Sequence, residues 1–216
     1  MFKILLISTL LSFISFSQTE VITKNKLTIY HNELTLYLTE DTCSMVSKHT
    51  LKYADFLSID HKRDNKWHQD TYLGKYHEKD FNKTGYDIGH LTPSDITSYN
   101  DSTNHNSFSL FNEAPQNPAL NRGKWAKLEK EVEDKIQKSK SNSIIITGVI
   151  YSKDNTKTLP NSRIKIPNYF FKVLVIKKKV YCWITTNDEN YEIKETTIKE
   201  LNKLFKDNKM DLIIKQ

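Results

Sequence analysis

Three β-branched apolar runs crowd the second half of the chain and limit what it can become: residues 143–151, 169–176 and 180–184. Val, Ile, Phe and Tyr suit a pleated, enclosed surface, and short apolar runs bounded by polar tracts read as buried strands. The first run predicts a central strand. The other two, parted by Lys177, Lys178 and Lys179, predict a hairpin whose charged turn is solvated surface and not a grip on nucleic acid.

The remaining segments supply a frame for that sheet. Residues 27–30 and 34–38 alternate apolar and polar side chains, as short strands of an edge or an N-terminal hairpin do, and 49–54 offers a further strand. Residues 58–83 are polar and without periodicity, which reads as a long surface loop. Trp125, Leu128, Val132 and Ile136 recur at three or four residues and predict an amphipathic helix over 124–138. Ile198, Leu201, Leu204 and Phe205 predict a second helix, with Thr196 or Thr197 as N-cap and Glu200 completing a capping box with Thr197.

The chain shows no repeat, low-complexity tract or Pro/Gly-rich linker, so residues 18–216 are expected to form one mixed α+β domain. A hydrophobic content of 38% supports a sizeable core and excludes a disordered chain. Residues 1–17 carry Lys3, an apolar run over 4–16 and small Ser15 and Ser17, the pattern of a secretory signal cleaved after about Ser17. The competing reading is a membrane anchor, but the run is shorter than the ~20 residues that a span requires. A secreted or periplasmic protein follows, without membrane contact after cleavage. The formal net charge of +6 is a mild pull toward polyanions. Cys43 and Cys182 are too few and too far apart for a zinc site, and either form a disulfide or are two small buried residues.

Chemistry concentrates between Asp87 and Glu129. The run Asp87-Ile88-Gly89-His90-Leu91-Thr92-Pro93 puts an imidazole, which titrates near neutrality, beside a glycine that leaves backbone space for a bulky phosphate, with Asp87 placed to orient the segment. Asn121 precedes the expected helix; its side-chain oxygen is a hard neutral ligand suited to Mg2+, although Asn is also a common N-cap. Glu129, eight residues on, is offset by about 80° on a helix and can reach a water of the ion's shell. A base, a cation and groups that hold them are what phosphodiester hydrolysis needs.

These residues resemble the DNA/RNA non-specific endonucleases, the ββα-metal or His-Me finger nucleases. Residues 86–93 look like that family's D-R-G-H-x-A-P signature, 108–116 its S-N-x-x-P-Q segment, and 121–129 its N-x-G-x-W-x-x-L-E continuation. Residues 147–151 and 166–173 are similar to family strands behind the site, so the resemblance covers roughly 45–210, weakly before Tyr86. It implies a ββα-metal fold with a central antiparallel sheet flanked by helices. It also implies His90 as general base, with Glu129 and Asp87 beside it, and Asn121 as the protein ligand of Mg2+, or Mn2+. Asn112 and Gln116 match supporting positions and are assigned, with Arg63 or Lys66, to the substrate side. The substrate is DNA, and RNA by extension. Three departures stand out: Ile88 where the family has arginine, Thr92 for alanine, and Phe111 for serine. The first removes a cation near the phosphate and motivates the rival reading, a weakened or inactive nuclease fold that only binds nucleic acid. A purely structural exported domain is the third option.

Overall fold

The computed structural model describes residues 19–24, 28–31, 33–39, 43–69, 78–154 and 157–216; the leader expected over 1–17 lies outside the described residues. The chain begins with β1 (Glu20–Ile22), β2 (Thr28–His31), β3 (Leu34–Leu38), β4 (Ser44–Leu51) and the single turn α1 (Tyr53–Phe56). Then come β5 (Asp87–His90), α2 (Asp101–Ser107), β6 (Glu113–Gln116), α3 (Pro118–Leu120) and α4 (Ala126–Ser139). The C-terminal part supplies β7 (Ser143–Ile150), β8 (Tyr169–Ile176), β9 (Lys179–Thr186), β10 (Lys194–Glu195), α5 (Ile198–Asp207) and β11 (Ile213–Lys215).

Seven strands form one sheet in the order β10-β9-β8-β7-β4-β3-β2, antiparallel throughout, with β7 in the middle as its apolar run requires. β7 and β8 read as almost unbroken apolar runs because both faces of the sheet are covered. On one face, Ile145, Val149, Phe170 and Leu174 meet Trp125, Leu128, Val132 and Ile136 of the α4 stripe. On the other, Ile146, Ile150, Phe171, Val173 and Val175 meet Leu201 and Phe205 of α5 and Ile214 of the β1–β11 pair. A third cluster, of Leu34, Leu36, Leu38, Phe81 and Phe111, takes Ile88 and Tyr86 against it and so anchors β5.

The expected N-terminal hairpin is β2–β3, at the sheet edge, and the β8–β9 hairpin turns at Lys177, which adopts a left-handed φ of 56°. Thr197 caps α5, with its hydroxyl accepting from the Glu200 amide and the Glu200 carboxylate accepting from the Thr197 amide. One expectation needs correction. The strand expected over 49–54 begins five residues earlier, at Ser44, and ends at Leu51, because Tyr53 starts α1. Its polar Ser47, bonded to Thr92 at 2.6 Å, conceals the strand from a reading based on alternation. Cys43 and Cys182 are buried free thiols in separate clusters and form no disulfide.

Candidate active site

β5 and β6 form a two-stranded antiparallel ribbon in which Asp87 pairs with Gln116 and His90 with Glu113. Glycine is required at 89: a Cβ there would stand 2.4 Å from Gln116 Oε1 and 2.6 Å from its Cβ. After β6, Asn117 Oδ1 accepts from the amides of Ala119 and Leu120 at 2.9 and 3.2 Å, capping α3. The helix then widens into a π turn over Asn121–Trp125, with Gly123 at φ −112° and ψ −105°, before α4 begins. The helical path therefore starts well before Lys124, and the cap role open to Asn121 in the sequence belongs to Asn117.

Asn121 is left for the site. Its Nδ2 donates to Asp87 Oδ2 at 2.9 Å, and Arg122 donates to the same carboxylate from Nε at 2.8 Å and Nη2 at 2.5 Å. Burial pushes the Asp87 carboxyl upward, but the bonds from Arg122 and Asn121 and the charge of Arg122 outweigh it, so its pKa is lowered. Asp87 thus orients the amide, turning Asn121 Oδ1 away from the ion pair.

His90, at the other end of β5, is partly buried against Trp67 at 4.4 Å between ring centroids and, edge to face, against Phe108 at 4.9 Å. Its Nε2 is enclosed without a hydrogen-bond partner. Burial, with a contribution from the charge of Arg63, pushes the imidazole pKa down to about 3, so the ring is neutral at physiological pH. Arg63 lies 5.2 Å over the Phe108 ring and its Nη1 is 3.8 Å from Asp95 Oδ1. Lys66 is exposed, and no hydrogen bond, ion pair or ring contact with a described residue ties it to His90. Of the two candidate cations, Arg63 is the one whose charge reaches His90.

Glu129, on the first turn of α4, places Oε1 3.5 Å from Nζ of the buried Lys172. Burial pushes the Glu129 carboxyl up and the Lys172 ammonium down, while each partner's charge opposes the shift. The charge of Asp95 also adds to the upward shift of Glu129.

Asn112 and Gln116, expected on the substrate side, lie in the interior of the fold. Each is wholly buried. Asn112 accepts from the Thr92 amide at 3.0 Å and donates to the carbonyls of Thr92 and Ser107 at 2.8 and 2.7 Å, bracing the turn after His90. Gln116 packs under Gly89. Four neighbours escaped the sequence reading. Lys172 had a signal, a lone charge inside an apolar strand, and Arg122 adjoins Asn121. Trp67 and Asp95 had none, since only tertiary packing brings them here.

The donor set fits a hard cation. Asn121 offers a neutral oxygen whose amide nitrogen is already fixed by Asp87, and among the described residues no three His, Cys, Asp or Glu side chains form a cage. Such an oxygen suits a hard divalent cation that keeps most of its waters.

A histidine-bearing β-ribbon followed by a helix that carries an asparagine and a glutamate, packed on an antiparallel sheet, defines the ββα-metal nuclease fold. Residues 13–212 match the model of the DNA/RNA non-specific endonucleases, and the chain belongs to that family. It is 27% identical over 123 residues to bovine mitochondrial endonuclease G, 51% of this chain and 41% of that protein. The human protein matches at 27% over 128 residues, covering 54% and 43%. The aligned stretch therefore spans less than half of these relatives. A crystal structure of the EndoG/EndoGI complex superposes with a TM-score of 0.68 over 82% of each chain at 20% identity, a likeness of fold.

Proposed function

We propose that this chain is an exported, Mg2+-dependent endonuclease that hydrolyses DNA, and RNA, without sequence preference. The observation that carries the reading is a neutral, half-enclosed imidazole beside Arg63, on the same four-residue strand whose first residue orients Asn121.

In this reading His90 takes a proton from water as its oxygen attacks phosphorus. The new P–O bond forms, the bond to the 3′ oxygen breaks, and that oxygen takes a proton from solvent, leaving a 5′-phosphate. Arg63 offsets charge on the phosphate, and Trp67 and Phe108 keep the imidazole neutral by excluding water from one of its faces. Asp87 holds the Asn121 amide, and Glu129 orients water on the α4 side. Asn121 would hold a magnesium or manganese ion, which would add charge stabilisation when bound. Contacts to phosphates, not bases, account for the absence of sequence preference.

The binding-only reading draws on Ile88, which packs into the apolar cluster under β5 and puts no cation at that position. Arg122, held on the neighbouring Asp87, keeps a guanidinium within the same neighbourhood. Plasmid nicking in Mg2+ and in EDTA separates the two. Metal-dependent nicking that falls by about 10²–10⁴-fold in folded His90→Ala supports the enzyme; EDTA-insensitive binding with no cleavage at any metal concentration refutes it. Cleavage of a leader over 1–17 and a single domain over 18–216 belong to the same proposal. Among the described residues no helix is long and apolar enough to cross a membrane.

A further inference from the structure

Lysine is seldom enclosed in a protein interior, because the ammonium loses far more in leaving water than its stem gains. Lys172 is enclosed: it interrupts the apolar run of β8, faces α4 between Phe170 and Leu174, and is 1% exposed. Its Nζ donates to Thr147 Oγ1 at 2.9 Å, directly across the β7–β8 ladder. The same ammonium lies 5.0 Å from the Trp125 ring centroid and 3.5 Å from Glu129 Oε1. Groups on β7, the π turn and α4 thus all converge on one charge.

A buried ion pair adds little stability over apolar side chains of similar shape, so the demands of the core do not explain it. Orientation does. Lys172 is the closed end of the pair, and Glu129, with 20% of its side chain accessible, is the end that reaches solvent. A carboxylate on a helix surface samples several rotamers, whereas one tied to a fixed ammonium keeps one.

We propose that Lys172 is a positioning residue of the hydrolytic site, holding the Glu129 carboxylate in a single orientation toward the substrate side. The inference rests on the nuclease reading above. Lys172 touches no substrate; it acts through Glu129 and is itself set by Thr147 and Trp125.

The test is a double-mutant cycle on the full chain with Lys172→Met, Glu129→Gln and the double variant, read as kcat, as Mn2+ affinity by calorimetry without nucleic acid, and as the thermal midpoint. Partners that orient the groups of a metal site typically contribute about 10–100-fold, so Lys172→Met is expected to lower kcat or Mn2+ affinity by that order. In the Glu129→Gln background the same change is expected to have less than roughly a twofold effect, since its route of action is gone. Equal losses in both backgrounds, or wild-type values in folded Lys172→Met, overturn the proposal. If Lys172→Met does not fold, Thr147→Val removes the acceptor at nearly constant volume and must show a smaller loss that again disappears with Glu129→Gln. A wild-type chain that cleaves under no condition overturns the nuclease reading and this one with it; one that cleaves while the cycle is additive overturns the role of Lys172 alone.

Discussion

His49 and His90 are both kept neutral by burial, one inside the sheet and one at the site. His49 is wholly enclosed on β4, where burial pushes its pKa to about 4, and His90 is pushed to about 3. The unfolded chain protonates both near 6.5 while the folded chain does not, so their contribution is fully present above pH 6.5 and is lost as pH falls toward the folded values. By pH 5 each histidine costs roughly 2 kcal/mol, and His49, having no exposed surface, gives the cleaner measure. In His49→Gln the fall in unfolding free energy from pH 7 to pH 5 is expected to shrink by about 2 kcal/mol in urea titrations; an unchanged fall refutes the account. At this scale the sequence singles out His90, Asn121 and Glu129 as candidates because residue type, spacing and the family motifs all fall on them. Burial is not so marked: Asn112 and Gln116 are both wholly enclosed, and Asn112 braces the turn after His90. Nor did sequence choose between Arg63 and Lys66, since only the fold brings Arg63 over Phe108.

The β5–β6 ribbon and the turn into α4 decide whether those side chains share one site. Gly89 lets the two strands pair over Gln116, so Gly89→Ala is expected to cost about 1–3 kcal/mol through overpacking and to lower kcat, because β5 must move and His90 moves with it. A melting temperature and kcat equal to wild type would show that the contact relaxes freely. The glycine was legible as a need for backbone space; its neighbour was not, because the β5–β6 pairing sets it diagonally against Gln116, 27 positions away. The α4 stripe was legible from its period, yet its entry was misjudged. A π turn carries no sequence signature, and the segment leading into it is held by Asn187, which accepts from the Asn117 amide at 2.8 Å and donates to the carbonyls of Pro115 and Pro167 at 2.9 Å. The misplaced start of β4 has the same origin: its polar Ser47 is satisfied by Thr92, 45 residues away.

At the scale of the molecule, the seven-stranded sheet separates function from support. The class of fold followed from apolar runs and helical stripes, but the insertion of β4 between β3 and β7 rests on pairings that no local pattern contains. All the proposed chemistry stands on the α4 side: Lys172 and Trp125 share that face, whereas Phe171, Val173 and Val175 point to α5. Phe205, wholly buried and 5.2 Å from Phe171 between ring centroids, belongs to the supporting face. Phe205→Ala leaves a cavity there and is expected to cost about 3–5 kcal/mol in urea unfolding. Because the strands lie between that cavity and Glu129, kcat and KM measured well below the new melting temperature are expected to stay within about twofold of wild type, as for sites that share no partners. A large loss of kcat in the folded variant would mean that the two faces are coupled through β8, whose alternate residues serve both.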